Sequence, residues 1–292
     1  MRYQATHITR YSYQMPVSHC VSEARITPRS LPPGQRVIET RVQVEPEPVV
    51  LETRQDYFGN HVAAFSVFRP HAKLTVTARS IVEIEPRAAD ADHALPSLAW
   101  EDARERLASR ETDEASLAAS EFIFNSPFVA AAPKLADYAR PSFKPGRPLA
   151  EAVRELATRI YTDFRYEPKA TSIDMPLLDV FELRRGVCQD FAHIMIGALR
   201  SCRLAARYVS GYLRSGTDLQ GSEASHAWVS VFIPGYGWLD LDPTNDVIPS
   251  GGHLTVAWGR DFGDVTPIKG VSLGGGKHTV AVEVSVRPVG AC

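Results

Sequence analysis

No uninterrupted apolar run in this 292-residue chain is long enough to span a membrane. The opening stretch, MRYQATHITRYSYQ, lacks the apolar core of a secretory signal, which predicts a cytoplasmic protein. An excess of one charge is also missing. Lys and Arg number 32 against 34 Asp and Glu, a net charge of −2. That leaves no electrostatic footprint for nucleic acid and no polybasic patch for a membrane surface. Cysteine is scarce: Cys20, Cys188, Cys202 and Cys292 are scattered, and none forms a C-x-x-C pair. In a reducing compartment free thiols are expected, so a special role for any one of them needs its own chemistry. There is no H-E-x-x-H helix, and the Cys188/His193 spacing fits no usual zinc pattern, so neither metal nor cofactor is expected. GVSLGGGKH (270–278) fails the phosphate-loop pattern, because Val271 and His278 stand where Gly and Ser/Thr are required. It reads as a glycine-rich hairpin turn. Internal repeats and low-complexity tracts are absent.

What is present is the composition of a globular protein, 44% hydrophobic and 23% charged. Its length suits one large domain or two ordinary ones. Residues 1–87 alternate polar with β-branched or aromatic residues, broken at Pro-Pro-Gly (32–34), Glu-Pro-Glu-Pro (45–48) and Gly-Asn (59–60). Short strands separated by turn signals predict a sandwich-like β module. Asp56 and Asn60 in DYFGN read as turn residues. Residues 88–150 form a helical connection, with helix-type spacing in DARERLASRET (102–112) and a second helix predicted over 149–164. Residues 151–292 read as an α+β unit. After its opening helix come β-type segments at 206–213, 226–233 and 237–242, and a strictly alternating C-terminal strand at 278–288.

The chemistry centres on RRGVCQDFAHIMIGALR (184–200). Phe191, Ile194, Met195, Ala198 and Leu199 mark one apolar helix face, with Cys188 at its N-terminal end. A thiol there feels the positive end of the helix dipole and unpaired N–H groups, which favour the thiolate. Asp190 in the first turn suits the same dipole, and Gly186 permits close approach of backbone or substrate. A buried core cysteine fits these local features equally well. A nucleophile also needs a base and a group to orient that base.

His226 begins the strand HAWVSVF, and Asp242 ends GWLDLD. The strands are joined by IPGYG, a plausible hairpin connection. The two residues face each other directly only if the pairing is centred on Pro234. Asp240 has the same parity but lies deeper in the hairpin. His193 points about 140° away from Cys188 around a regular helix. His253 and His278 sit in glycine-rich sequence, where solvated side chains are expected.

Taken together, RRGVCQDFAHIMIGALRSCRLAARYVSGYL, SHAWVSVFIPGYGWLDLDPTND and GRDFGDVTPIKGV resemble the bacterial transglutaminase-like proteins, and the N-terminal region is similar to the β-rich segment accompanying that branch. The resemblance implies a papain-like Cys-His-Asp site on an α+β core. Cys188 then matches the nucleophile, His226 the general base and Asp242 the residue orienting it. Tyr166 of FRYEP is the nearest match to an aromatic oxyanion donor, with the Cys188 backbone N–H as the other candidate. The implied reaction is acyl transfer through a thioester, at an amide of a peptide, protein or other substrate. A non-catalytic binding or assembly protein on the same fold is the alternative. Trp228 and Trp238 could line a substrate groove or serve strand packing, and the β module could shape the substrate groove or serve as a dimer face.

Overall fold

The computed structural model describes residues 1–32, 34–85, 97–109 and 113–290. In chain order the elements are β1 (Arg2–Ala24), β2 (Gln35–Glu45), β3 (Val50–Gln55), β4 (His61–Val67), β5 (His71–Ile84), α1 (Trp100–Ala108), α2 (Glu114–Ser120), α3 (Pro133–Ala139), α4 (Leu149–Asp163), β6 (Arg165–Tyr166), α5 (Leu177–Leu183), β7 (Arg185–Gly186) and α6 (Cys188–Ser201). There follow β8 (Ala206–Leu213), β9 (His226–Ile233), β10 (Gly237–Leu241), β11 (His253–Gly259), α7 (Phe262–Val265), β12 (Ile268–Gly274) and β13 (His278–Pro288). The fold is mixed α+β with mostly antiparallel strands. Residues 88–96, the start of the predicted connection over 88–150, and residues 110–112 at the end of DARERLASRET lie outside the described residues.

The N-terminal strands form one seven-stranded sheet organised around β1. The first half of β1 pairs with β5 and β13, and its second half with β4 and β12. The two wings close on a shared core of Cys20, Phe65, Val67, Leu74 and Val76, the sandwich-like packing that alternation predicts. The glycine-rich tract is not a hairpin turn. Val17 pairs with Gly274 and Tyr13 with His278, so β12 and β13 both run antiparallel along β1 on either side of the tract, with a register shift between Val17 and His19. Gly274, Gly275 and Gly276 all have positive φ, which lets the chain buckle there while both strands stay beside β1. The last strand of the sequence therefore completes the N-terminal sheet.

A second sheet, in the order β10-β9-β8-β11, packs against α6. Sequence patterning missed β11 and β12. Every residue of β9 is buried. The predicted apolar face of α6 is buried too, and so are His193, Ile196, Gly197 and Arg200 around it. A helix buried on nearly all sides is a core element rather than a surface one. A Cβ at Gly197 would lie 2.8 Å from Leu135, so glycine is what lets α3 approach. The Arg200 guanidinium is 1% exposed and donates to the carbonyls of Phe122, Ala206 and Arg260 and to Ser126 Oγ. It ties the end of α6 to three connecting segments. Tyr3, Val82, Ile84, Val284 and Val286 of the first sheet belong to the same core as α6, so the two sheets share one interior.

Candidate active site

Cys188 is the first residue of α6, after Val187 in extended conformation. Its own N–H has no acceptor within the helix. Asp190 Oδ2 accepts from the Val187 N–H at 2.8 Å and from Thr171 Oγ1 at 2.6 Å, pinning the chain just before the cysteine. Burial raises the Asp190 carboxyl pKa, and these two bonds oppose that. The glycine before the turn makes room for this carboxylate: a Cβ at Gly186 would sit 2.4 Å from Asp190 Oδ2. Tyr166 pairs with Gly186 through the short parallel ladder of β6 and β7. Burial raises the Tyr166 pKa, and the charge of nearby Cys188 raises it further, keeping the phenol protonated and able to donate. Cys188 itself is buried, with 9% exposure.

The hairpin carrying His226 and Asp242 is centred on Gly235, not Pro234. Gly237 pairs with Ile233 and Leu241 with Val229. Extended by one pair, this register sets Asp242 across from Trp228, two residues along from His226. Diagonal neighbours on one sheet face are still within side-chain reach, and the contact forms: His226 Nε2 lies 2.8 Å from Asp242 Oδ2, with both side chains at 0% exposure. Four further bonds hold the carboxylate. Oδ1 accepts from the Thr244 and Asn245 N–H groups, and Oδ2 also receives Asn245 Nδ2 at 2.7 Å and His253 Nε2 at 3.1 Å.

With Nε2 engaged by Asp242, Nδ1 is the free nitrogen of His226. It is buried and has no hydrogen-bond partner among the described residues. A Cβ at Gly221 would stand 2.7 Å from it. Burial opposes a charged imidazole, but Cys188 and Asp242 outweigh it and raise the His226 pKa. Burial likewise opposes the Asp242 charge. His226, His253 and Asn245 outweigh it and hold the carboxyl below the ordinary carboxylate range. A thiol, an imidazole held as a cation and a buried carboxylate therefore act electrostatically as one unit.

The other predicted residues are placed differently. His193 faces away from this network: its Nε2 accepts from the Phe262 N–H at 3.2 Å, and burial pulls its pKa down to about 4. Trp228 is buried beside His226, with their rings 6.3 Å apart and near parallel, and packs edge-on against His253 at 5.4 Å. Trp238 packs on Phe122 and Phe232 and carries the Arg207 guanidinium 4.0 Å above its ring. Both tryptophans border a cavity of about 350 Å³ between the β module and the second sheet. Tyr166 borders another, of about 370 Å³, with Phe191, Gln220, Thr244 and Asn245. One groove does not hold all three. The buried Thr244 Oγ1, which lacks a partner, lies at the cleft beside Tyr166, whose phenol feels the charge of Cys188. A larger cavity of about 610 Å³ is lined by the ion pairs Arg25–Asp56 and Arg260–Asp264 and contains none of these residues.

His226, Asp242 and His253 place donor atoms within 4.8 Å of one another, a spacing that could accept a metal ion. Both Nε2 atoms already lie at hydrogen-bond distance from Oδ2, so an ion could enter only by breaking those bonds. His253 and Asn245 are the residues that sequence reading missed. Asn245 follows Asp242 in DPTN, one residue beyond the Asx-turn position that Thr244 fills, a usable signal. His253 follows Ser-Gly-Gly and carries no local signal, because its burial comes from β11 pairing with β8 some forty residues earlier.

Residues 3–83 match the model of the bacterial transglutaminase-like N-terminal region, and residues 136–243 that of the transglutaminase-like superfamily. An uncharacterized protein of Mycobacterium tuberculosis (strain H37Rv) is 39% identical over 300 residues, covering 99% of this chain and 92% of that protein. One of Mycobacterium leprae is 33% identical over 293 residues, covering 98% of each. A protein-glutamine gamma-glutamyltransferase of Pseudomonas aeruginosa is 31% identical over 123 residues, 35% of this chain and 18% of that one. Among solved structures, a proposed cysteine protease from Cytophaga hutchinsonii superimposes with a TM-score of 0.77 at 19% identity, covering 100% of this chain and 92% of that one. The shared fold is a transglutaminase-like, papain-like core behind a β-rich region.

Proposed function

The chain belongs to the bacterial transglutaminase-like proteins, and from that premise we propose a cysteine-dependent acyltransferase that acts on amide carbonyls. The observation that carries this reading is the His226 ring: Nε2 bound to Asp242, Nδ1 buried and unpartnered, and its cationic form favoured by Cys188. Once the cation has given up its Nδ1 proton, the neutral ring still donates Nε2–H to the carboxylate, and Nδ1 becomes its base.

The Cys188 thiolate attacks the amide carbon, and the carbonyl electrons move onto oxygen. The Cys188 N–H and the Tyr166 hydroxyl are the donors proposed for that oxyanion. His226 Nδ1–H protonates the leaving amine as the C–N bond breaks, leaving a thioester on Cys188. An incoming amine or water then gives its proton to Nδ1 and attacks the thioester, and the thiolate departs. Transfer to an amine makes a transglutaminase, and transfer to water makes a peptidase or amidase. The name of the Pseudomonas relative supports the first outcome, and the description of the Cytophaga structure the second. The cleft beside Tyr166 is the proposed entry for the acyl group.

The test is incubation of wild type and Cys188→Ala with glutamine-containing and other amide peptides, with and without a labelled primary amine. Wild type is expected to release the amine side of the substrate while Cys188→Ala does not. Label in the acyl product marks transamidation, and its absence marks hydrolysis. If the two proteins turn over no substrate to different extents, the reading fails and a binding role replaces it.

A further inference from the structure

The Asp242 carboxylate has more side-chain partners than a cysteine–histidine–carboxylate site requires. Its Oδ2 receives His226 Nε2 at 2.8 Å, His253 Nε2 at 3.1 Å and Asn245 Nδ2 at 2.7 Å. An ionised carboxylate accepts several N–H groups at once. The two histidines come from non-adjacent strands, β9 inside the sheet and β11 at its edge. The side chain of His253 is 4% exposed, and the edge of its ring is braced by Trp228. A buried imidazole aimed at a buried carboxylate is a costly arrangement to leave loose, because a buried N–H donor without its acceptor is penalised.

We propose that His253 is a positioning residue: it donates Nε2–H to Asp242 and fixes the carboxylate so that Asp242 holds His226 with Nδ1 towards the thiol. The proposal rests on the acyl-transfer reading above. It also gives the β module a part in the site. β11 is an edge strand, and two amide side chains of the β module occupy the position of a missing neighbour. Gln35 accepts from the Thr255 N–H at 2.9 Å and donates to the Thr255 carbonyl at 2.8 Å. Asn60 does the same for Trp258, accepting at 2.9 Å and donating at 2.8 Å. Gln35 also donates to the Arg29 carbonyl. Thr255 is two residues from His253, so the clamp sets the height of the strand that delivers the imidazole. Asn60, which reads as a turn residue in sequence, serves this interface as well as its turn.

The test uses the full chain and needs no substrate. Wild type, His253→Gln and His253→Leu react with iodoacetamide at neutral pH, and labelling of each cysteine peptide is followed by mass spectrometry alongside thermal unfolding. Glutamine keeps an N–H donor, whereas leucine fills similar space without one. Losing a buried bond to a charged group corresponds to about tenfold in rate. The expected result is Cys188 labelling about tenfold slower in His253→Leu and largely restored in His253→Gln. If His253→Leu does not fold, His253→Met is the donor-free comparison. Wild-type labelling in the donor-free variant overturns the proposal, as does equal slowing in the glutamine variant. If Cys188 in wild type labels no faster than Cys20 or Cys202, the acyl-transfer reading itself has failed, a different outcome from loss of the His253 effect alone.

Discussion

The outer strands of the β module and the inner strands of the second sheet handle polar groups in opposite ways. All six residues of β3 are exposed, and the β12 side chains project almost entirely into solvent. In β9 every residue is buried, and its polar members His226 and Ser230 are sealed inside. Water solvates polar side chains on the first kind of strand at little cost. On the second kind each must find a partner or serve a purpose. Chemistry is therefore concentrated where polar groups are buried in a connected network, and substitutions should differ in cost accordingly.

The sharpest contrast comes from Arg200. Arg200→Met removes a guanidinium that satisfies three buried carbonyls, so a loss of about 3 kcal/mol or more is expected in denaturant unfolding. A change below about 1 kcal/mol would mean that the core tolerates unmet polar groups as the outer strands do. Gly186→Ala comes next. The added methyl collides with Asp190, and a cost of about 1–3 kcal/mol follows from overpacking. Slower Cys188 labelling should accompany it, because the pin on Val187 is displaced. Gln35→Ala probes the seam between the two regions and should cost about 1–2 kcal/mol through the orphaned Thr255 backbone. At the small end, Glu52→Ala on β3 should change stability by no more than about 0.5 kcal/mol. A larger loss there would show that the outer strand is not solvated independently of the core.

Local pattern carried much of this organisation. Alternation located β1 to β5, β8 to β10 and β13, and apolar spacing located α4 and α6. Cys188, His226 and Asp242 could be singled out because strand ends and a helix start have sequence signatures. Non-local pairing decided the rest. The hairpin centre moved by one residue, and the pairing by two, because the connecting loop spans 234–236, and a diagonal contact rescued the expected pair. β12 and β13 look like the arms of a hairpin until β1 is seen to pair with both. His253 reads as a solvated loop residue because its partners lie on distant segments, and nothing local to Arg200 signals its burial, for the same reason. Gly186 reads as room for a backbone or a substrate, and that room is taken by the Asp190 side chain while the Tyr166 strand pairs alongside.

The central claim is that His226 activates Cys188, and relative thiol reactivity tests it most directly. Burial pushes the Cys202 thiol up to about 11 and also raises that of Cys20, so both should be almost wholly protonated at neutral pH. Cys202 should enter the reaction only as the pH approaches that value, since a raised pKa is overcome from the alkaline side. The measurement is the iodoacetamide labelling rate of each cysteine at neutral pH in wild type and His226→Ala. Cys188 is predicted to label far faster than Cys20 and Cys202 in wild type and to lose that advantage in His226→Ala. Equal rates among the cysteines, or a Cys188 rate unchanged by loss of His226, would contradict the account.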